Sequence, residues 1–267
     1  MGIKRQLLIS TAIGLVSMPQ TGQAADFAVK APPAAVPQAH SWAGFYVGAH
    51  GGYSWGSLDG DTTQTVIVPS SPPNFSPPPG TIIYSSLGRD IDPQGALGGL
   101  QAGYNLQSGA WVYGVEADIT WTDQHDSFNF TGHKFTASED FNYQETLAAK
   151  LKYVGTVRGR IGYAIGDLLP YITGGFAFGD LKMSFNSILT QAFCPPCVAA
   201  FSGSESHVLF GGAVGAGLEH GFAQHWSFKA EYLFVDLGRK TFFPGVSGAG
   251  SFGLTDNIFR IGINFRP

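Results

Sequence analysis

Charge is scarce in this chain. Only 13% of its residues are Asp, Glu, Lys or Arg, against about 25% in ordinary soluble domains. So few charges make a fully water-facing surface hard to build. The hydrophobic (44%) and aromatic (13%) content excludes a disordered chain. Long apolar runs are missing too: no stretch of 18 uninterrupted apolar residues occurs, which excludes a transmembrane helix. Cysteine is limited to Cys194 and Cys197, in a Cys-Pro-Pro-Cys stretch. In an exported protein the pair reads as a small loop disulfide. It lacks the helix start and βα setting of a redox CxxC.

Catalytic signatures are equally thin. There is no GxSxG turn and no His-Glu-x-x-His run, and the seven histidines are scattered. Gly215-Ala-Gly217 followed by Gly221 lacks the spacing and strand–helix context of a nucleotide loop. The net charge of −4 argues against a nucleic-acid partner. Neither a cofactor nor a metal is expected. An enzyme would need a triad assembled across strands.

What is present begins at the front. Lys4 and Arg5 precede an apolar run from Leu7 to Val16, with small residues at Gly22, Ala24 and Ala25. This is the pattern of a cleaved secretory signal peptide. Residues 1–24 are assigned to it, with a cut after Ala25 as the alternative. Residues 25–41, with Pro32, Pro33 and Pro37, read as a periplasmic linker. Residues 42–267 form the remaining domain.

From Trp42 onward the dominant period is two, the signature of strands. Eight segments carry it. Phe45, Val47 and Ala49 alternate with Tyr46, Gly48 and His50, and Leu100, Ala102, Tyr104 and Leu106 with Gln101, Gly103 and Asn105. Trp111 to Trp121 sets its apolar residues against Gly114, Glu116, Asp118 and Thr120. In the fourth segment Leu151, Tyr153, Val157, Ile161 and Tyr163 oppose Lys152, Thr156, Arg158, Arg160 and Gly162. Further segments run through Ile172–Phe178, Val208–Leu218, Trp226–Phe234 and Phe259–Phe265. Each approximates the 9–11 residues that a tilted strand needs to cross a bilayer.

Connection lengths alternate. Short links fall near 107–110, 166–169 and 221–225, and four long ones cover 56–94, 123–145, 182–206 and 239–254. An even strand count with short periplasmic turns and long outer loops describes a bacterial outer-membrane barrel. Trp and Tyr near segment ends (Tyr53, Trp55, Trp111, Trp121, Tyr163, Trp226) suit interfacial girdles. Glycine-rich polar faces suit a narrow interior. The expected fold is all-β, an eight-stranded antiparallel up-and-down transmembrane β-barrel. The expected location is the outer membrane of a Gram-negative bacterium.

Function then rests on the inward face. Glu116, Asp118, Glu219 and Glu231 supply four acids, and Arg158, Arg160, Lys229 and Arg260 supply four bases, with Lys152 and Arg266 nearer the strand ends. Charges in a narrow interior are expected to pair, and eight strands leave an interior just wide enough for side chains. A cross-linked polar plug is the expected result, and a narrow conducting path is the alternative. His125 and His133 read as solvated loop histidines, with haem or metal binding as the other reading.

The stretches Ser41-Trp-Ala-Gly-Phe-Tyr-Val-Gly48, Val154–Tyr163, Pro170–Gly175, Lys229–Gly238 and Ala25–Pro32 resemble motifs of a known family. It is that of the small OmpA-like, opacity-type outer-membrane β-barrels, often labelled "porin family". The resemblance spans almost the whole mature chain. It implies the eight-stranded fold and outer-membrane location, with outer-membrane lipid and the assembly machinery as partners, and it carries over no catalytic residues. Members are variously described as envelope-structural, pore-forming, haem-binding or host-contacting. Such barrels usually end on an aromatic residue read during assembly. Here the end is Asn264-Phe-Arg-Pro267, so Phe265 is expected to serve as the signal. The sequence therefore favours a non-enzymatic barrel with envelope-structural and surface-display roles. A low-conductance porin, or a haem or host-surface receptor with an unknown ligand, are the alternatives.

Overall fold

The computed structural model describes residues 40–62, 91–135, 140–191, 197–243 and 250–267. Within them lie nine strand segments: β1 (Gly44–Thr62), β2 (Gln94–Ser108), β3 (Trp111–Thr122), β4 (His125–Phe135), β5 (Asp140–Tyr163), β6 (Leu168–Gln191), β7 (Cys197–Ala223), β8 (Trp226–Phe242) and β9 (Gly250–Phe265). All pairings are antiparallel. β1 bonds to both β2 and β9, which closes the sheet on itself. β3 and β4 pair with successive stretches of β5, 153–163 and 140–150. They are one strand of the ring interrupted at Asp123–Gln124, so the barrel has eight strands around its circumference. Closure leaves the membrane-spanning rungs without a free edge, as a backbone in lipid requires.

The short links are turns at Gly109–Ala110, Gly166–Asp167 and Gln224–His225. Gly109 and Gly166 both have φ +61°, a conformation that glycine adopts without a side-chain clash.

The long connections read from the sequence are shorter than expected. β4 and β5 pair from His125↔Lys150 out to Phe135↔Asp140, inside the expected loop 123–145. β6 and β7 pair out to Gln191↔Cys197, inside 182–206. β1 runs on to Thr62 and β8 to Phe242. The nine segments run from 11 to 27 residues, and all but β4 exceed the expected 9–11, so the barrel wall stands well above the membrane.

The reason these extensions escape a membrane-strand reading is visible on β8. Its exposed residues are Trp226, Phe228, Tyr232 and Phe234, then Asp236, Arg239 and Lys240. Its buried ones are Ser227, Lys229 and Glu231, then Leu233, Val235 and Leu237. As far as Leu237 the side chains keep their alternation while the chemistry of the two faces exchanges; past a register shift between Asp236 and Arg239, Arg239, Lys240 and Thr241 are all exposed. Below the exchange the wall is apolar outside and polar inside; above it, the reverse, like a water-soluble barrel.

The exchange level coincides with an outer ring of exposed aromatics, Tyr53, Trp55, Trp121 and Tyr232. A second ring (Trp111, Tyr113, Tyr163, Trp226) lies by the short turns. Between the rings project Phe176 and Phe210, 80% and 74% exposed. These large apolar side chains suit hydrocarbon and not water.

One strand face differs from the sequence reading. Leu151 is fully buried, whereas the Lys152 side chain is 41% exposed and pairs with Asp180 at 2.8 Å. Ladder register shifts between Leu151 and Val154, opposite the Asp123–Gln124 break. A bulge inserts an extra residue and reverses the faces beyond it, so Lys152 leaves the inward set.

Candidate functional site: the barrel interior

Inside the membrane-level rungs, the eight charged residues singled out from the sequence converge on one network. Arg158 is its centre. Its Nη2 donates to Glu116 at 2.7 Å and to Asp118 at 3.0 Å, its Nη1 to Glu231 at 3.2 Å, and its Nε to the Thr156 hydroxyl at 2.8 Å. Arg260 reaches Glu231 at 2.6 Å and Asp118 at 3.1 Å. Lys229 donates to Glu116 at 2.9 Å. Arg160 pairs with Glu219 at 2.8 Å. Arg266, nearer the strand end, joins through Glu219 at 2.6 Å, so four carboxylates meet five cations. Every side chain of this set is at most 5% exposed.

Local structure explains why these groups meet. Residues two apart on a strand share a face, which sends Glu116 with Asp118, and Arg158 with Arg160, into the lumen. The β3–β5 register sets Glu116 directly opposite Arg158. Glycines clear the path for long side chains. A Cβ on Gly103 would stand 2.4 Å from the Tyr46 ring, and one on Gly217 would stand 2.5 Å from that of Tyr171. With those positions bare, the Tyr46 hydroxyl reaches Glu116 at 2.7 Å and that of Tyr171 reaches Glu231 at 2.9 Å.

Several participants lay outside the sequence-derived set. His50 contacts Gln101 at 3.1 Å, Thr120 at 2.8 Å and Arg260 at 3.3 Å. Gln101 in turn donates to Asn264 at 2.6 Å. Two apolar layers were also missed. Above the network, Leu58, Leu97, Leu151, Leu181, Met183 and Leu233 belong to a buried cluster that also includes Val235, Phe242 and Phe252. At the turn end, Trp42, Val112 and Leu169 are fully buried together. The Arg266 guanidinium stacks 4.9 Å from the Trp42 ring centre. Tyr232-Leu-Phe-Val235 carried the signal, since four consecutive apolar residues on a strand fill both faces.

Other sequence-derived residues stand apart. Phe265 is half-buried at the turn end, with its ring 4.9 Å from Trp226 and 6.0 Å from His225. His125 opens β4, and its Nδ1 lies 2.8 Å from the Asp123 carbonyl. The His133 and Cys197 side chains, and all of Cys194, lie outside the described residues. Among the described residues, no group of three or more His, Cys, Asp or Glu side chains is arranged to hold a metal.

Comparison with known proteins follows the same lines. The family model described as "Outer membrane protein beta-barrel domain" matches residues 22–266. The 31 kDa outer-membrane immunogenic protein of Brucella melitensis is 29% identical over 254 residues, covering 92% of this chain and 93% of its own. The 22 kDa outer membrane protein of Rhizobium leguminosarum bv. viciae is 28% identical over 233 residues, covering 87% and 82%. Among solved structures, the outer membrane protein OprG from Pseudomonas aeruginosa aligns with a TM-score of 0.45 and 13% identity, over 86% of this chain and 99% of that one. With a closed eight-stranded ring and a family match that reaches from residue 22 to residue 266, this chain belongs to the outer membrane protein β-barrel domain family and resides in the outer membrane of a Gram-negative bacterium.

Proposed function

We propose that this barrel is closed to ions and serves the envelope as a non-enzymatic scaffold that presents its outer strands and loops. One observation carries the reading: the charged network is stacked between two apolar layers. An ion crossing the lumen would have to displace Leu151, Leu181, Met183 and Leu233 on one side and Trp42, Val112 and Leu169 on the other. Transfer of an unpaired ion into such surroundings is strongly unfavourable. The network adds a second obstacle, because each of its carboxylates is engaged by at least two cations, which leaves little for a passing ion to exchange with.

The non-enzymatic part of the proposal draws on the same contacts. Glu116 and Asp118 share a face, as an acid–base pair would, yet both are locked to Arg158. The display role draws on the tall outer wall of β4 to β7. It also draws on the relatives, which are named outer-membrane immunogenic proteins. Outer-membrane lipid around the aromatic-bounded belt, and the assembly machinery acting on Phe265, complete the proposed partners.

Conductance tests the reading. Folded protein, identified by its heat-dependent gel shift, is expected to remain silent in planar lipid bilayers. Reproducible unitary steps would replace it with the small-porin reading.

A further inference from the structure

Asp256 is a buried carboxylate outside the network. It is 1% exposed on the inner face of β9, at the floor of the upper apolar layer, between Leu254 and Ile258. Its side-chain partner is an amide: Gln124 Nε2, from the break between β3 and β4, donates to Asp256 Oδ1 at 2.8 Å. The next cation down β9 is Arg260, which lies beyond Ile258 and is already engaged by Glu231 and Asp118. Among the described residues, no lysine, arginine or histidine forms an ion pair with Asp256. A buried carboxylate without a counter-charge is costly.

Two further polar atoms at this level have no partner: the Gln124 Oε1 and the Ser54 Oγ, on residues 0% and 1% exposed. The ladders bring the three residues together. Gly56 pairs with Asp256, and a Cβ on Gly56 would stand 3.5 Å from Asp256 Oδ1. Ser54 lies two residues along β1 on the same face and pairs with Gly95. A Cβ on Gly95 would stand 2.8 Å from the Gln124 backbone nitrogen. The Gln124–Asp256 bond therefore spans two bare glycine positions, and Ser54 borders the span. Buried polar groups in native proteins are satisfied with few exceptions, so one uncompensated charge, an orphaned amide oxygen and an orphaned hydroxyl on neighbouring rungs point to a common partner.

We propose that Asp256, Gln124 and Ser54 form a buried site for a single sodium ion. The donor set is all oxygen with one negative charge, which suits a hard alkali cation and gives a transition metal none of the nitrogen or sulfur ligands it favours. A proton on Asp256 would also remove the charge, with the Ser54 hydroxyl left to donate to the Gln124 Oε1, and the response to sodium separates the two states. A cation meets the charge and both orphaned oxygens at once. The bound ion would tie the β3–β4 break to β9 across the lumen and brace the outer end of the charged network against the apolar layer.

The test is the heat-modification midpoint of the purified full-length outer-membrane form in detergent, with sodium chloride or choline chloride at equal ionic strength. The wild type is expected to melt several degrees higher in sodium. Asp256→Asn, which keeps the side-chain shape without the charge, is expected to melt at one temperature in both salts. Ser54→Ala, a milder change that still reports if Asp256→Asn fails to fold, is expected to shrink the sodium shift. A wild type indifferent to sodium would overturn the site and leave Asp256 holding a proton. A sodium shift retained in full by both variants would also overturn it, because the ion would then act elsewhere.

Discussion

Glu116 on β3 and Arg158 on β5 stand directly opposite one another in the sheet, and their side chains meet at 2.7 Å with no water-accessible surface on the guanidinium. Arg158 also holds Asp118 and Glu231, so three carboxylates from two strands, β3 and β8, share this one cation. Removing one partner of a buried pair typically costs about 3–5 kcal/mol, because the other charge stays buried.

The double variant Arg158→Met, Arg160→Met should therefore lose at least that much stability, read as a lower urea midpoint for unfolding from lipid vesicles. Conductance should stay silent, since the apolar layers remain. A variant as stable as wild type would refute the network's structural role.

Opening the lumen should instead require the apolar layer. Replacing Leu151, Leu181 and Leu233 together with serine removes three of its buried side chains and allows water to enter. Unitary steps in planar bilayers are expected from the triple variant and none from wild type. If the triple variant folds and stays silent, the apolar layer is not the seal.

Phe265→Ala should lower the yield of inserted protein while leaving the stability of what does insert little changed. Trp226→Ala, which removes the ring packed 4.9 Å away, is the control for packing alone. Equal membrane yields for Phe265→Ala and wild type would end the assembly-signal reading.

Above the outer aromatic ring, Glu205 accepts the Phe243 backbone N–H at 2.9 Å and contacts His207 at 3.3 Å. Phe243 has a φ of +54°, unusual for a bulky residue. The backbone N–H, and then His207, hold the Glu205 carboxyl below its ordinary value. A depressed carboxylate contributes stability above its unfolded value and loses it as pH falls through the folded one. Protection of the Phe243 amide from hydrogen exchange should accordingly be full at neutral pH and lost on acidification below the usual glutamate range. Glu205→Ala should lose it at neutral pH as well. Unchanged protection in that variant would show that Phe243 is held by packing alone.

Much of the fold was legible locally. The alternation of Trp111 to Trp121, the apolar outward sets of β1, β2, β6, β7 and β8, and the short turns follow from a two-residue period and turn chemistry that the chain carries in order. The outer extensions were less legible. On β4 and the outer part of β5, Phe128, Leu147 and Ala149 pack against the inner apolar cluster among polar neighbours, so polar strands such as His125–Phe135 read as loops. The reversal at Leu151 and Lys152 was hidden because a bulge is a difference in length between two strands, which neither strand shows alone.

The sequence by itself determined the class of this protein: strand periodicity, segment count, the charged residues on inward faces and the aromatic rings. These depend on neighbours a few residues apart. Only the tertiary structure decided which charges share a partner, where polar and apolar layers stack, and that Gln124 meets Asp256 across 132 residues of chain. Those contacts join strands remote in sequence, and their depth is set by the stagger with which the ring closes. A side chain's position around and along the lumen is a property of the whole barrel, which no single strand encodes.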